Sequence, residues 1–132
     1  MKKTTLLLLF SFLFLTSCGG SKKDKTGKES ITGKWKLVET LADPGDGSGT
    51  FQPVESEKTI EFRDDGTFVV YNGYLCPPAE QSGPSTGTYS LSELTISPKN
   101  CDTTITFERS DGMLILRFPC IEPCGEKYAK IE

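Results

Sequence analysis

From residue 31 onward, apolar and polar residues alternate in short runs, each ended by turn residues after four to seven positions. A period of two sends successive side chains to opposite faces of a strand. An amphipathic helix needs apolar residues three and four apart over ten or more positions, and this part of the chain has almost none of that pattern. Eight runs stand out, at 34–40, 58–63, 67–72, 87–90, 93–97, 103–108, 113–118 and 127–131. They predict an all-β domain built as a sandwich or a barrel.

The second and third runs are joined by Asp64-Asp65-Gly66, the sixth and seventh by Ser110-Asp111-Gly112. Both are Asp-Gly hairpin signals. Across the first hairpin, Ile60 and Phe62 share a face with Phe68 and Val70, while Thr59, Glu61 and Arg63 turn to water. In an up-and-down sheet the connections alternate between two ends. Here the even-numbered ones are short (64–66, the region of Leu91-Ser92, 110–112). The odd-numbered ones are long (41–57, 73–86, 98–102, 119–126). One end is therefore expected to be tightly closed, and the other to carry the Gly/Pro-rich loops, where binding residues usually sit on a rigid scaffold. Asn72-Gly73 is itself a hairpin signal, but Leu75-Cys76-Pro77-Pro78 leaves little room for a returning strand.

The chain begins differently. Lys2 and Lys3 precede a short apolar run ending at Leu15, then Thr16, Ser17 and Cys18. A basic start, about ten apolar residues and small residues before a cut describe a secretory signal, and the run is too short to cross a bilayer as a helix. Leu15-Thr16-Ser17-Cys18 resembles the lipobox of bacterial lipoproteins. The resemblance implies a signal peptide over 1–17 and a diacylglyceryl thioether on Cys18, usually with an acyl group such as palmitate on the new amine. Several acyl chains on one residue hold a protein firmly to a membrane. Residues 19–30, GGSKKDKTGKES, carry four lysines and two acids without an apolar side chain. They read as a flexible tether with an r.m.s. span of about 19 Å. Gly19 after the lipidated cysteine favours the outer membrane in the Gram-negative sorting rule, and the lack of an acidic cluster at 22–25 favours its periplasmic face.

The remaining domain, 31–132, has 9 Lys and Arg against 16 Asp and Glu. Such an acidic domain does not attract a phosphate backbone, so nucleic acid is not an expected partner. Gly33-Lys34-Trp35 heads the first strand and resembles the Gly-x-Trp signature of lipocalins. A longer series resembles the small lipocalin-like lipoproteins of Bacteroidota. It comprises Gly33-Lys34-Trp35, the segment from Phe62 to Phe68, Gly87-Thr88-Tyr89, the Cys-rich stretch from Cys120 to Cys124, and Lys127-Tyr128. The resemblance implies an up-and-down antiparallel barrel of about eight strands. Trp35 would plug its closed end under a late cation, Arg109 or Lys130. A cup for a small apolar or amphipathic ligand would open at the loops. About 100 residues make a barrel that side chains nearly fill, with Trp35, Phe62, Phe68, Phe107, Leu94, Ile96, Leu114 and Leu116 as candidates to do so.

Four cysteines remain beside Cys18: Cys76, Cys101, Cys120 and Cys124, all placed at the loop end. An even count in an exported chain reads as disulfides. Neighbouring loops favour Cys76–Cys101 with Cys120–Cys124, and a bridge from Cys101 to the last loop stays open. A four-cysteine zinc site lacks the usual second short pair, and Cys-x-x-x-Cys is one residue longer than the thioredoxin spacing. The chain has no histidine, which removes the commonest general base and most catalytic metal sites. Asp64 and Asp65 suit a tight turn. The segment 43–49 has the composition of a calcium loop without its spacing. Tyr71, Tyr74 and Tyr89 are candidate contact residues. The expectation is a non-enzymatic envelope protein without cofactor or metal, anchored to the membrane through Cys18. It binds a small hydrophobic ligand at its loop end or, with a filled barrel, an envelope protein through its pinned loops.

Overall fold

The computed structural model describes residues 30–76, 84–99 and 101–132. Cys18, the leader and the tether up to residue 29 lie outside the described residues. Nine strands form one antiparallel sheet: β1 (Gly33–Ala42), β2 (Gln52–Pro53), β3 (Thr59–Phe62), β4 (Thr67–Tyr71), β5 (Ser85–Ser90), β6 (Thr95–Pro98), β7 (Ile105–Ser110), β8 (Met113–Arg117) and β9 (Cys124–Lys130). Neighbours follow chain order from β3 to β9, and β1 pairs with both β3 and β9. The sheet thus closes on itself as an eight-stranded up-and-down barrel, leaving no free edge among those eight strands. β2 is an extra two-residue strand beside the second half of β1.

Turn chemistry sets the closed end. Asp111 and Gly112 have φ of 52° and 76°, and Ser110 pairs directly with Met113. That is a two-residue hairpin whose central residues both need positive φ, which Asp-Gly supplies. At 64–66 the loop is one residue longer. Arg63 N–H bonds the Thr67 carbonyl, Gly66 takes φ 82°, and the Asp65 carboxylate accepts from the Thr67 amide and hydroxyl. The third short turn takes all of 91–94, with Leu94 at φ 56°. Leu94 was expected inside. Because β6 starts only at Thr95, its side chain leaves the strand's alternation and is 40% exposed. Asn72 does adopt φ 56°, yet among the described residues the next strand is β5 at Ser85. The Asn-Gly pair bends the chain there, and β4 pairs with β5 across a longer connection.

β1 carries one irregularity that matters for the interior. Leu37 faces Tyr128 and Glu39 faces Lys127, so two β1 residues oppose one on β9. This bulge re-aims the rest of the strand. Glu39 points outward to an ion pair with Lys127. Thr40 comes into register with Glu126, and Leu41 with Gly125. Leu41 therefore faces outward. It is buried there nonetheless, where the chain after β1 folds back over the barrel. The Phe51 ring lies over Gly125 with Arg117 and Lys127 at 5.1 and 4.6 Å from its centroid.

Candidate functional site

The barrel is filled by the chain itself from the closed end up to the level of Val70, Ile105 and Leu116. Trp35, Ile60, Phe68, Val70, Ile96, Ile105, Leu114, Leu116 and Tyr128 have no exposed surface, and Phe62 and Phe107 almost none. Phe62 stands edge-on to Tyr89, 5.1 Å between centroids, and Tyr89 donates its hydroxyl to the Arg63 carbonyl. Tyr89 thus packs against the core and is no outer contact residue. A side chain at Gly87 would collide with the Phe68 ring and the Ser97 carbonyl, so the wall there is backbone against aromatic ring. Close packing of this kind leaves little room for a guest.

Trp35 sits at the bottom. Its indole N–H donates to the Ile31 carbonyl at 2.7 Å. The Arg109 guanidinium lies 4.7 Å from its ring centroid and Lys130 Nζ 5.4 Å, so both candidate cations reach it. Arg109 also donates to the Ser30 carbonyl. The chain therefore enters the barrel at the closed end, held by the residues that plug it.

Toward the loops, Leu75 and Cys76 share the interior with a polar cluster. Lys58 continues the inward phase of Ile60 and Phe62, and Glu126 that of Tyr128. The Lys58 ammonium meets both Glu126 oxygens at 2.7 and 2.8 Å, and the Tyr128 hydroxyl donates to Glu126 at 2.6 Å. The Lys58 and Glu126 side chains are only 9% and 17% exposed. The Lys58 stem leaves no room for a side chain at Gly73. This triad ties β9 to the start of β3 across the inward face of β1. Sequence reasoning missed it.

Burial first, then the Glu126 charge and its hydrogen bond, push the Tyr128 phenol well above its ordinary value. A raised folded-state pKa favours the protonated form. Its stabilisation is complete below the unfolded phenol value of about 10 and is lost as pH rises from there through the folded value. The urea midpoint is expected to fall above about pH 10, and less steeply in Tyr128→Phe. Equal slopes in the two proteins would refute the assignment.

Four connections crown the loop end, and two disulfides pin them: Cys76–Cys101 and Cys120–Cys124. Cys124 is the first residue of β9; the other three lie in connections. All four sulfurs are committed to these bonds, which leaves no thiolate set for zinc. Separations of 25 and 4 residues imply unequal contributions. The chain-entropy relation gives about 3.5 kcal/mol for the longer link and about 2 kcal/mol for the shorter. Replacing Cys76 and Cys101 by Ser is thus expected to lower the urea midpoint more than replacing Cys120 and Cys124. The reverse order would contradict the relation here.

The first long loop is organised by Asp43. Its carboxylate accepts from the amides of Gly45 (2.7 Å), Gly47 (3.1 Å) and Gly49 (2.6 Å). The bonds from Gly49 and then Gly45 hold its carboxyl below the usual aspartate range. The acid-and-glycine pattern at 43–49 serves the loop's own backbone. Two open troughs lie on the outer surface among the described residues. One of about 540 Å³ lies over β4, β5 and β6 between Arg63 and Lys99, and another of about 450 Å³ lies beside Asn72, Tyr74 and Pro84.

Comparison with curated proteins finds no match. The family model described as a lipocalin-like domain matches residues 31–112, from the segment before the Trp35 plug to the β7–β8 hairpin. With that match over more than half of its length, and with a closed eight-stranded antiparallel barrel, the chain belongs to the lipocalin-like domain family.

Proposed function

We propose that this chain is a lipid-tethered, non-enzymatic envelope protein that works as a binding module, with the loop end as its contact surface and the barrel interior as scaffold. The observation that carries this reading is the interior itself. Among the described residues, the volume an apolar ligand would need is taken by Trp35, Phe62, Phe68, Phe107 and their neighbours, and toward the loops by Leu75, Cys76 and the Lys58–Glu126–Tyr128 triad. A ligand pocket needs a few hundred cubic ångströms of accessible space. The small apolar ligand implied by the family resemblance would have to displace packed side chains to enter.

Attachment supports the same reading. The chain enters at the closed end beside Trp35 and Arg109, and every long connection lies at the other end. With Cys18 acylated and residues 19–29 as a tether, the closed end faces the bilayer. The disulfide-pinned loops then point away from it, toward other envelope components. The lipobox-like Leu15-Thr16-Ser17-Cys18 and Gly19 support an anchor at the outer membrane, and the lack of an acidic cluster at 22–25 supports its periplasmic face.

The test is photo-cross-linking in cells, with a benzophenone amino acid at Tyr74 or Asp102 on the loop end and at Leu94 or Asp111 on the closed end. A Cys18→Ala control is expected to release the protein from the membrane fraction. Protein adducts from the loop-end positions are expected. Adducts from the closed end alone would overturn the reading.

A further inference from the structure

We propose that the Cys120–Cys124 ring is the anchor of the loop-end surface, and that it inserts Ile121 into an apolar pocket, bordered by Lys or Arg, on a partner protein. This rests on the loop-end reading above and names the partner's chemistry. Ile121 is 100% exposed, while the other large exposed apolar residues, Val54, Tyr74, Leu94 and Ile131, lie between 37% and 48%. Single exposed apolar residues are ordinary. Full exposure on a constrained loop is different, because the chain gains nothing inside its own fold from holding isoleucine there.

The ring is held from several directions. The disulfide closes residues 120–124. Pro119 and Pro123 flank Ile121 and fix φ on both sides. The Pro123 carbonyl accepts from Asp43 N–H at 2.9 Å, and Cys124 pairs with Ala42 on β1. A side chain presented this way loses little freedom on docking, which is how preorganised loops gain affinity. Pro119, Cys120, Ile121 and Pro123, all exposed, provide an apolar tip.

Charge selects the pocket's border. Glu122 is exposed and makes no ion pair among the described residues. It lies against Gly45 in the loop that carries Asp46 and the ionised Asp43. An apolar knob beside three carboxylates complements a cleft whose rim is basic and is repelled by an acidic one.

The experiment places the photo-reactive residue at Ile121 in the same cells, identifies the adduct, and measures binding of that purified protein to the mature chain. Ile121→Asp is expected to weaken binding at least tenfold with an unchanged thermal midpoint, since the side chain is fully exposed among the described residues. Ile121→Val should retain most of the affinity, and Leu94→Asp all of it. Glu122→Gln is expected to flatten the salt dependence of binding. Adducts from Tyr74 or Asp102 without one from Ile121, or unchanged affinity in Ile121→Asp, would overturn the ring's role and leave the loop-end reading standing. Adducts from Leu94 alone, or from none of these positions, would overturn both.

Discussion

Replacing Trp35 by Ala is expected to destabilise the protein by about 4 kcal/mol, within the range for removing a large aromatic side chain from a packed core. For a domain of this size that lowers Tm by about 20 °C. Trp35 has no exposed surface, so its loss leaves a cavity at the closed end with few atoms able to collapse into it. Two further interactions go with it: the indole bond to the Ile31 carbonyl and the stack under Arg109 and Lys130. Two milder variants separate these contributions. Trp35→Phe keeps most of the volume and loses the N–H donor, at about 1–2 kcal/mol. Arg109→Met removes the cation and keeps a stem, at about 1 kcal/mol. Urea unfolding followed by circular dichroism reads all three. A Trp35→Ala midpoint close to that of Trp35→Phe would mean that the plug is a donor site and not a volume filler.

Lys58→Met should cost about as much, about 3–5 kcal/mol, because it strands the Glu126 carboxylate inside the barrel. Glu126 accepts from Lys58 and Tyr128; without the ammonium it keeps one neutral donor and loses its only counter-charge in the triad. Burying a charge without a partner is expensive, whereas a fully apolar replacement of both partners is often neutral or stabilising. The double variant Lys58→Met/Glu126→Leu is therefore expected to recover to within about 1 kcal/mol of the original protein. A double variant as unstable as the single one would show that Lys58 acts through its packing against Gly73 and not through charge.

Much of the barrel was legible because alternation of period two leaves a direct imprint on residues. All eight runs became strands of the closed sheet, and the short and long connections sort to the two ends as the Asp-Gly turns indicate. The pairing of the four cysteines matches the one that neighbouring loops favour, although a bridge from Cys101 to the last loop was also open to the sequence. The bulge between Leu37 and Glu39 left no such imprint. An extra backbone residue changes which face the later side chains occupy without altering composition, and here it turns Glu39 and Leu41 outward. The triad was half visible. Lys58 is in phase with Ile60 and Phe62, and a lysine in a core phase requires an acid. That acid lies 68 residues away, and Glu126 reads as loop when the last run is begun at Lys127. Only closure of β1 onto both β3 and β9 brings the two together. Ile121 was illegible for a simpler reason: an apolar residue in a loop carries no signal of whether the loop folds inward or out.

Native mass spectrometry of the protein, purified from its producing cells under mild detergent, is the measurement to make. A filled barrel predicts one species without a non-covalent ligand and with two intact disulfides, unchanged on incubation with the cells' lipid extract. A stoichiometric non-covalent adduct of lipid size that disappears on Lys58→Met, beneath the loops, would contradict it and return the interior to the role of a binding cup.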